Sequence, residues 1–191
     1  GEELLTEDST HGEGFLADTA VRWEAAADAA REAGIRVVHA RFGLIISRQG
    51  GLLARIRLPF QTALGGKLGT GRQWWPWISL PDVIKGLVYL IGNEDISGPV
   101  NFTAPTPVRN EELTKLMAKT LSRPAWFNIP AAIIRLIFGE MGEETMLSSQ
   151  RVFPEKLSAS GFKWSFESIE DVLHQELIAS RSDRCGSTSR G

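Results

Sequence analysis

The chain has 191 residues, 42% of them hydrophobic and 23% charged, which is enough to bury the core of one ordinary domain and unlike a disordered tail. Its 21 lysines and arginines stand against 23 aspartates and glutamates, a formal charge of -2, leaving no field that would gather nucleic acid or an anionic membrane. A single cysteine, Cys185, cannot close an internal disulfide, and three widely spaced histidines, His11, His39 and His174, give no zinc-ligand pattern.

No run reaches the roughly 20 apolar residues of a membrane span. The stretch 129–138 comes nearest and is interrupted by Pro130 and Arg135. The acidic start lacks the basic-then-apolar order of a secretion signal. The expectation is a reducing compartment, cytoplasmic or organellar, and a protein that is not secreted and engages neither membrane nor nucleic acid.

In chain order, residues 1–14 carry no apolar period and read as a surface loop. From Phe15 to Ala33 small and apolar residues recur at helical spacing, and Gly34 stands where a left-handed cap would end the helix. Ile35–Phe42 is β-branched and apolar, a strand. Helix, glycine and strand in such close order form the second half of a βαβ crossover. Leu52–Leu64 reads as a helix kinked at Pro59, followed by a glycine-dense loop from Gly65 to Arg72. That loop fits neither phosphate-binding glycine pattern and follows a helix, so it reads first as tight turns beside a cleft.

Short strands are expected at Trp74–Ile78 and Pro99–Thr103. Helices are expected from Pro81 to Ile91, with Ser79 as cap, and from Glu111 to Leu121. After Pro124 the texture becomes mostly helical, with pieces at Ala131–Phe138, Thr145–Arg151, Glu155–Ser160 and Ile169–Ser180. Phe162–Phe166 is an extended apolar segment, and Arg181–Gly191 has the composition of a disordered tail.

These signals make an α/β chain with a parallel sheet that is short of strands. A crossover whose first strand would precede residue 1 suggests a piece of a longer protein or a naturally shortened copy. The alternative is a homodimer that completes the sheet. The expected division is 1–123 as a partial parallel-sheet core, 124–180 as a helical subdomain, and 181–191 as tail.

Several motifs carry a family resemblance: Arg22-Trp23-Glu24, Arg41-Phe42-Gly43, Gly71-Arg72-Gln73, Trp77-Ile78-Ser79 with Asp82, Pro107-Val108-Arg109-Asn110-Glu111, and Pro154-Glu155-Lys156-Leu157 with Gly161-Phe162. Together they resemble the C-terminal half of extended short-chain dehydrogenase/reductases, and within them the sugar-nucleotide epimerase-like family that ends in a small domain of unknown function. The resemblance runs from Gly1 to about residue 178. It implies a Rossmann-type parallel sheet, NADP or NAD as cofactor, and a small-molecule substrate of the nucleotide-sugar kind.

In such enzymes the glycine fingerprint and the catalytic serine would precede Gly1. The resemblance places Gly14 where the superfamily has its catalytic tyrosine and Asp18 where it has the lysine. Neither can exchange the substrate proton, and an aspartate would raise a neighbouring phenol's pKa rather than lower it. The implied function is the substrate-binding half of an NAD(P)-dependent epimerase/dehydratase-like oxidoreductase, inactive alone. The alternative is a non-catalytic ligand-binding or dimerisation module of the same descent.

Arg41, Phe42 and Gly43 end the best strand, where open α/β sheets bind ligands, and the resemblance sets this segment at the nicotinamide end of the cofactor. Arg72 and Gln73, beside three tryptophans, are the strongest substrate candidates, since a guanidinium suits phosphate or carboxylate and aromatic faces suit sugars or bases. Trp77 reads either as one such face or as core. Ser79 and Asp82 read either as substrate-side residues or as the cap of the following helix. Tyr89, the only tyrosine, reads as packing.

Overall fold

The computed structural model describes residues 1–179. The expected tail, Arg181–Gly191, lies outside the described residues. Leu4–Leu5 form a short strand, β1, inside the stretch expected to be a surface loop. Helix α1 covers Phe15–Ala25 and is followed by a separate short helix, α2, Asp28–Glu32. The single helix expected over 15–33 is therefore broken at Ala26 and Ala27. The glycine stop is as expected: Gly34 has φ 79° and its N–H closes on the carbonyl of Arg31 at 3.0 Å.

Strand β2 runs Val38–Phe42, three residues shorter at its start than the apolar run, and β3, Leu44–Ser47, continues the same extended chain past Gly43. Helix α3, Gly51–Gln61, accommodates Pro59 one turn from its end. The glycine-dense segment contains β4, Gly66–Leu68. The tryptophan segment is two strands, β5 (Trp74–Trp75) and β6 (Trp77–Ser79), split at Pro76. Then come α4 (Leu80–Gly92), β7 (Gly98–Phe102), β8 (Val108–Arg109) and α5 (Asn110–Leu121).

Beyond residue 124 lie β9 (Phe127–Ile129) and α6 (Ala131–Gly142), kinked at Gly139, which continues as a wide π-helical turn over Glu143–Leu147. The helix expected to reach Arg151 ends there; Arg151–Val152 instead form strand β10. Helices α7 (Glu155–Ala159) and α8 (Ile169–His174), with a π-helical extension at Gln175–Ala179, complete the described chain.

The strands pair two by two, four pairs parallel and one antiparallel. The central pair is β2 with β7, from Val38 opposite Gly98 to Phe42 opposite Phe102. Past Gly43 the chain changes partner, and Leu44–Ile46 pair with Trp77–Ser79 of β6. Gly43 N–H still donates to Phe102 O at 3.1 Å, whereas Leu44 N–H donates to Pro76 O at 2.8 Å. Gly43 is thus the point where the strand passes from one neighbour to the other. The second edge of β2 has no ladder partner among the described residues.

Two apolar clusters hold these pieces. One gathers Ile46, Leu53, Trp77, Leu113 and Met117 with Val172 and Leu173 of α8, so the C-terminal helix shares the core of the middle segment. The other gathers Ile78, Val100 and Phe102 with Leu157 and Phe162. By contrast, α1 buries no residue, and its Trp23 is 81% exposed.

The N-terminal segment is tied down by polar bonds. β1 runs parallel to β10, and the Glu7 carboxylate, buried, accepts from the backbone N–H groups of Asn101 (2.9 Å), Glu155 (3.1 Å) and Lys156 (3.4 Å). Through these three bonds Glu7 fastens the N-terminal segment to β7 and to the start of α7.

Candidate functional site

A cleft of about 310 Å³ opens at the carboxyl ends of β2 and β7. Its floor is Arg41, Phe42 and Gly43, its far side Asn101 and Thr103, and α1 supplies Ala17, Ala20, Val21 and Glu24. A neighbouring lobe of about 240 Å³ shares Phe42, Gly43, Pro76 and Gln150 and adds Trp74 and Trp75. The carboxyl end of parallel strands is where open α/β sheets receive ligands, because loops diverge there and backbone groups are left free.

The three residues expected at this strand end do converge on the cleft. Gly43 is there because a side chain does not fit: a Cβ would stand 2.9 Å from Pro76 O and 3.0 Å from Thr103 Cγ2. Phe42 is half exposed and its ring meets Phe102 at 5.0 Å. Arg41 does not reach into the cleft as a free cation. Its Nε and Nη2 each donate to the Glu24 carboxylate at 2.7 Å, a two-pronged pair between β2 and α1. The hydrogen bonds from Arg41 hold the Glu24 carboxyl below its ordinary value, and the same bonds raise the guanidinium.

The residues expected on the substrate side lie elsewhere. Arg72 is at the surface, its carbonyl accepting from Arg109 Nη1 at 2.6 Å. Gln73 is buried and its Nε2 donates to Leu68 O at 3.0 Å and Met146 O at 3.3 Å, at the base of a hollow lined also by Gly69, Thr70 and Arg135. Trp77 is 1% exposed, packed in the larger core cluster, with Nε1 donating to Thr106 O at 2.7 Å.

Ser79 and Asp82 are interior. The Ser79 hydroxyl donates to Asp82 Oδ2 at 2.7 Å and accepts from Asp82 N–H at 3.1 Å, capping α4. The same carboxylate accepts from the backbone N–H groups of Ser165 (2.6 Å) and Phe166 (3.2 Å), fastening the C-terminal segment to the start of α4. Neither residue lines the cleft.

The opposite rim was not among the residues expected at a site. Thr6, Ser9, Thr10 and His11 line the cleft from the segment expected to be a plain loop, and only their concentration of hydroxyls could have drawn notice. Thr103 lines it too; its Oγ1 is buried without a hydrogen-bond partner. Gly14 sits at the N-terminus of α1 with φ 108°, and Asp18 N–H donates to its carbonyl at 3.0 Å, so the helix start holds no phenol and no amine. Tyr89 donates to Ser160 O at 2.7 Å and packs on Phe162, outside the cleft lining.

A second polar cluster lies on the other side of Trp74. Arg109 stacks on that indole at 4.4 Å and its Nη2 bonds both oxygens of Glu2, at 3.0 and 2.8 Å, while Trp74 Nε1 donates to Glu2 Oε2 at 3.0 Å. The Glu2 carboxyl is held below its ordinary range, first by the Trp74 hydrogen bond and then by Arg109. Among the described residues no group of three histidine, cysteine or acidic side chains could hold a metal, and no helix is long and apolar enough to cross a membrane.

Known proteins match this chain along most of its length. Residues 129–176 match a family described as a domain of unknown function, DUF1731. An epimerase family protein of Mycobacterium tuberculosis is 40% identical over 172 residues, covering 90% of this chain and 57% of that protein. The crystal structure of a human epimerase family protein with NADPH superposes with a TM-score of 0.84 at 30% identity, over 92% of this chain and 59% of that one. A nucleoside-diphosphate sugar epimerase from Corynebacterium glutamicum superposes with a TM-score of 0.75 at 32% identity, over 97% of this chain and 37% of that one. The chain spans about half the length of the curated relatives it matches.

Proposed function

We propose that the chain belongs with the epimerase family proteins of the extended short-chain dehydrogenase/reductase type, over about half of their length, and that it is the substrate-side half of an NAD(P)-dependent epimerase/dehydratase-like oxidoreductase. In this reading residues 1–123 are the partial nucleotide-binding core and 124–180 the helical subdomain. The carrying observation is the cleft where β2 changes partner at Gly43, open at the carboxyl ends of β2 and β7.

The cleft's residues fit the nicotinamide end of the cofactor. Gly43 keeps the floor clear, apolar Phe42, Ala17 and Val21 suit a flat ring, and the orphaned Thr103 hydroxyl is a buried polar atom lacking a partner. The chain holds no G-x-G-x-x-G run, and the double glycine between β3 and α3, Gly50-Gly51, does not have that spacing. When bound, a nicotinamide supplies hydride transfer. This chain's own part is to seat the ring against Arg41–Gly43, exclude water with Phe42, and admit a small-molecule substrate, of the nucleotide-sugar kind, through the neighbouring lobe lined by Trp74 and Trp75.

By the family resemblance, Gly14 and Asp18 stand where a tyrosine–lysine pair would exchange the substrate proton. That observation favours a second reading, a ligand-binding or dimerisation module of the same descent. Thermal-shift titration with NADPH and NADH separates the two. Saturable stabilisation supports the oxidoreductase half, and no shift with either moves the reading to the module.

A further inference from the structure

A chamber of about 140 Å³, apart from the cleft just described, lies between α3, β4 and α5. Its wall is apolar, built mainly from Leu52, Ile56, Phe60, Leu68, Leu113 and Ile129, and exposed Pro59 and Leu64 stand at its rim. The polar groups that border it are engaged: Asn110 Oδ1 accepts from Leu68 N–H at 2.8 Å, and Thr114 Oγ1 donates to Asn110 O at 2.8 Å. Trp75 forms part of the same wall, 5% exposed, and its indole Nε1–H is buried with no partner.

An apolar hollow of this size favours a ring such as benzene over water, because a water needs two to four polar partners. One lone donor does not hold a water. A compact organic molecule with one acceptor oxygen satisfies both features, its body replacing the void and its oxygen receiving the indole proton. We propose that this chamber binds a small neutral molecule with an apolar body and a single carbonyl or ether oxygen, which accepts a hydrogen bond from Trp75 Nε1. The site does not depend on the nicotinamide reading.

The test uses the 191-residue chain and two probes of similar shape, acetophenone and isopropylbenzene, which differ in the carbonyl. Proton–nitrogen spectra follow the indole signals of the six tryptophans. The Trp75 signal is identified by its loss in Trp75→Phe. The expected result is a saturable downfield movement of that signal with acetophenone, about tenfold tighter binding of acetophenone than of isopropylbenzene, and no preference in Trp75→Phe. Ile56→Phe fills the chamber and abolishes binding of both while the remaining spectrum persists. No saturable movement of the Trp75 signal, equal affinity for the two probes, or unchanged binding in Ile56→Phe overturns the proposal, and none of these readouts involves a nicotinamide.

Discussion

Gly43 lies directly against Pro76: a methyl group on Gly43 would stand 2.9 Å from the Pro76 carbonyl oxygen. The contact joins two strand systems, because Leu44 N–H donates to the same carbonyl at 2.8 Å. Backbone cannot yield as a flexible side chain can, so an added methyl must displace β6 or the strand itself. Gly43→Ala is expected to cost about 1–3 kcal/mol of stability, read as a lowered urea midpoint. A variant as stable as the parent would mean that the strand crossing is loose.

The Arg41–Glu24 pair predicts a pH dependence whose sign is fixed. Glu24 has a lowered folded-state pKa, so the pair's stabilisation is present above the ordinary carboxyl value of 4.5 and is lost as pH falls through the lowered value. Both side chains are partly exposed, 40% for Arg41 and 28% for Glu24, so solvent screening limits the effect to about 1 kcal/mol. Urea midpoints of the parent and Glu24→Gln should therefore differ at neutral pH and converge in acid. Parallel curves throughout would contradict the pair's role.

Asp82 should behave as a structural residue. Asp82→Ala leaves the Ser79 hydroxyl and the N–H groups of Ser165 and Phe166 without their acceptor, and is expected to cost about 1–3 kcal/mol. Denaturation of Asp82→Ala and Ser79→Ala measures this. A stable Asp82→Ala with weakened ligand binding would return the residue to the substrate side.

Glu7 makes a similar claim for the N-terminal segment. Glu7→Ala removes the acceptor of three backbone donors and should release residues 1–14, seen as faster proteolysis there with a loss of about 1.5–3 kcal/mol. Unaltered protease resistance would show that the β1–β10 pair alone secures the segment.

Much of this architecture is written locally. Gly34 as a left-handed stop, Ser79 as the cap of α4 and the alternation of helices with apolar strands all follow from a few neighbouring residues. The short strands do not. β1, β8 and β10 have two residues each, and what makes them strands is a partner far away in sequence, such as Leu4 opposite Arg151. The buried state of Glu7 is equally nonlocal, since its donors lie 94 to 149 residues away.

Candidate residues divide along the same line. Arg41, Phe42 and Gly43 are legible because the end of a parallel strand is a generic binding position. Asp82 and Trp77 share charge or ring character with ligand-binding groups, and only the fold shows that their hydrogen bonds close inside the protein. The Thr6–His11 rim was illegible because its place in the cleft depends on β1 docking beside Val152.

The central claim is that the Gly43 cleft receives a nicotinamide ring. The most direct measurement is titration of the chain with NADPH while the backbone amide signals of Arg41–Leu44 and Thr103 are followed by NMR. The account predicts saturable movements concentrated at these amides and abolished in Gly43→Val. Unmoved amides at saturating NADPH, or movements confined to another surface, would contradict it.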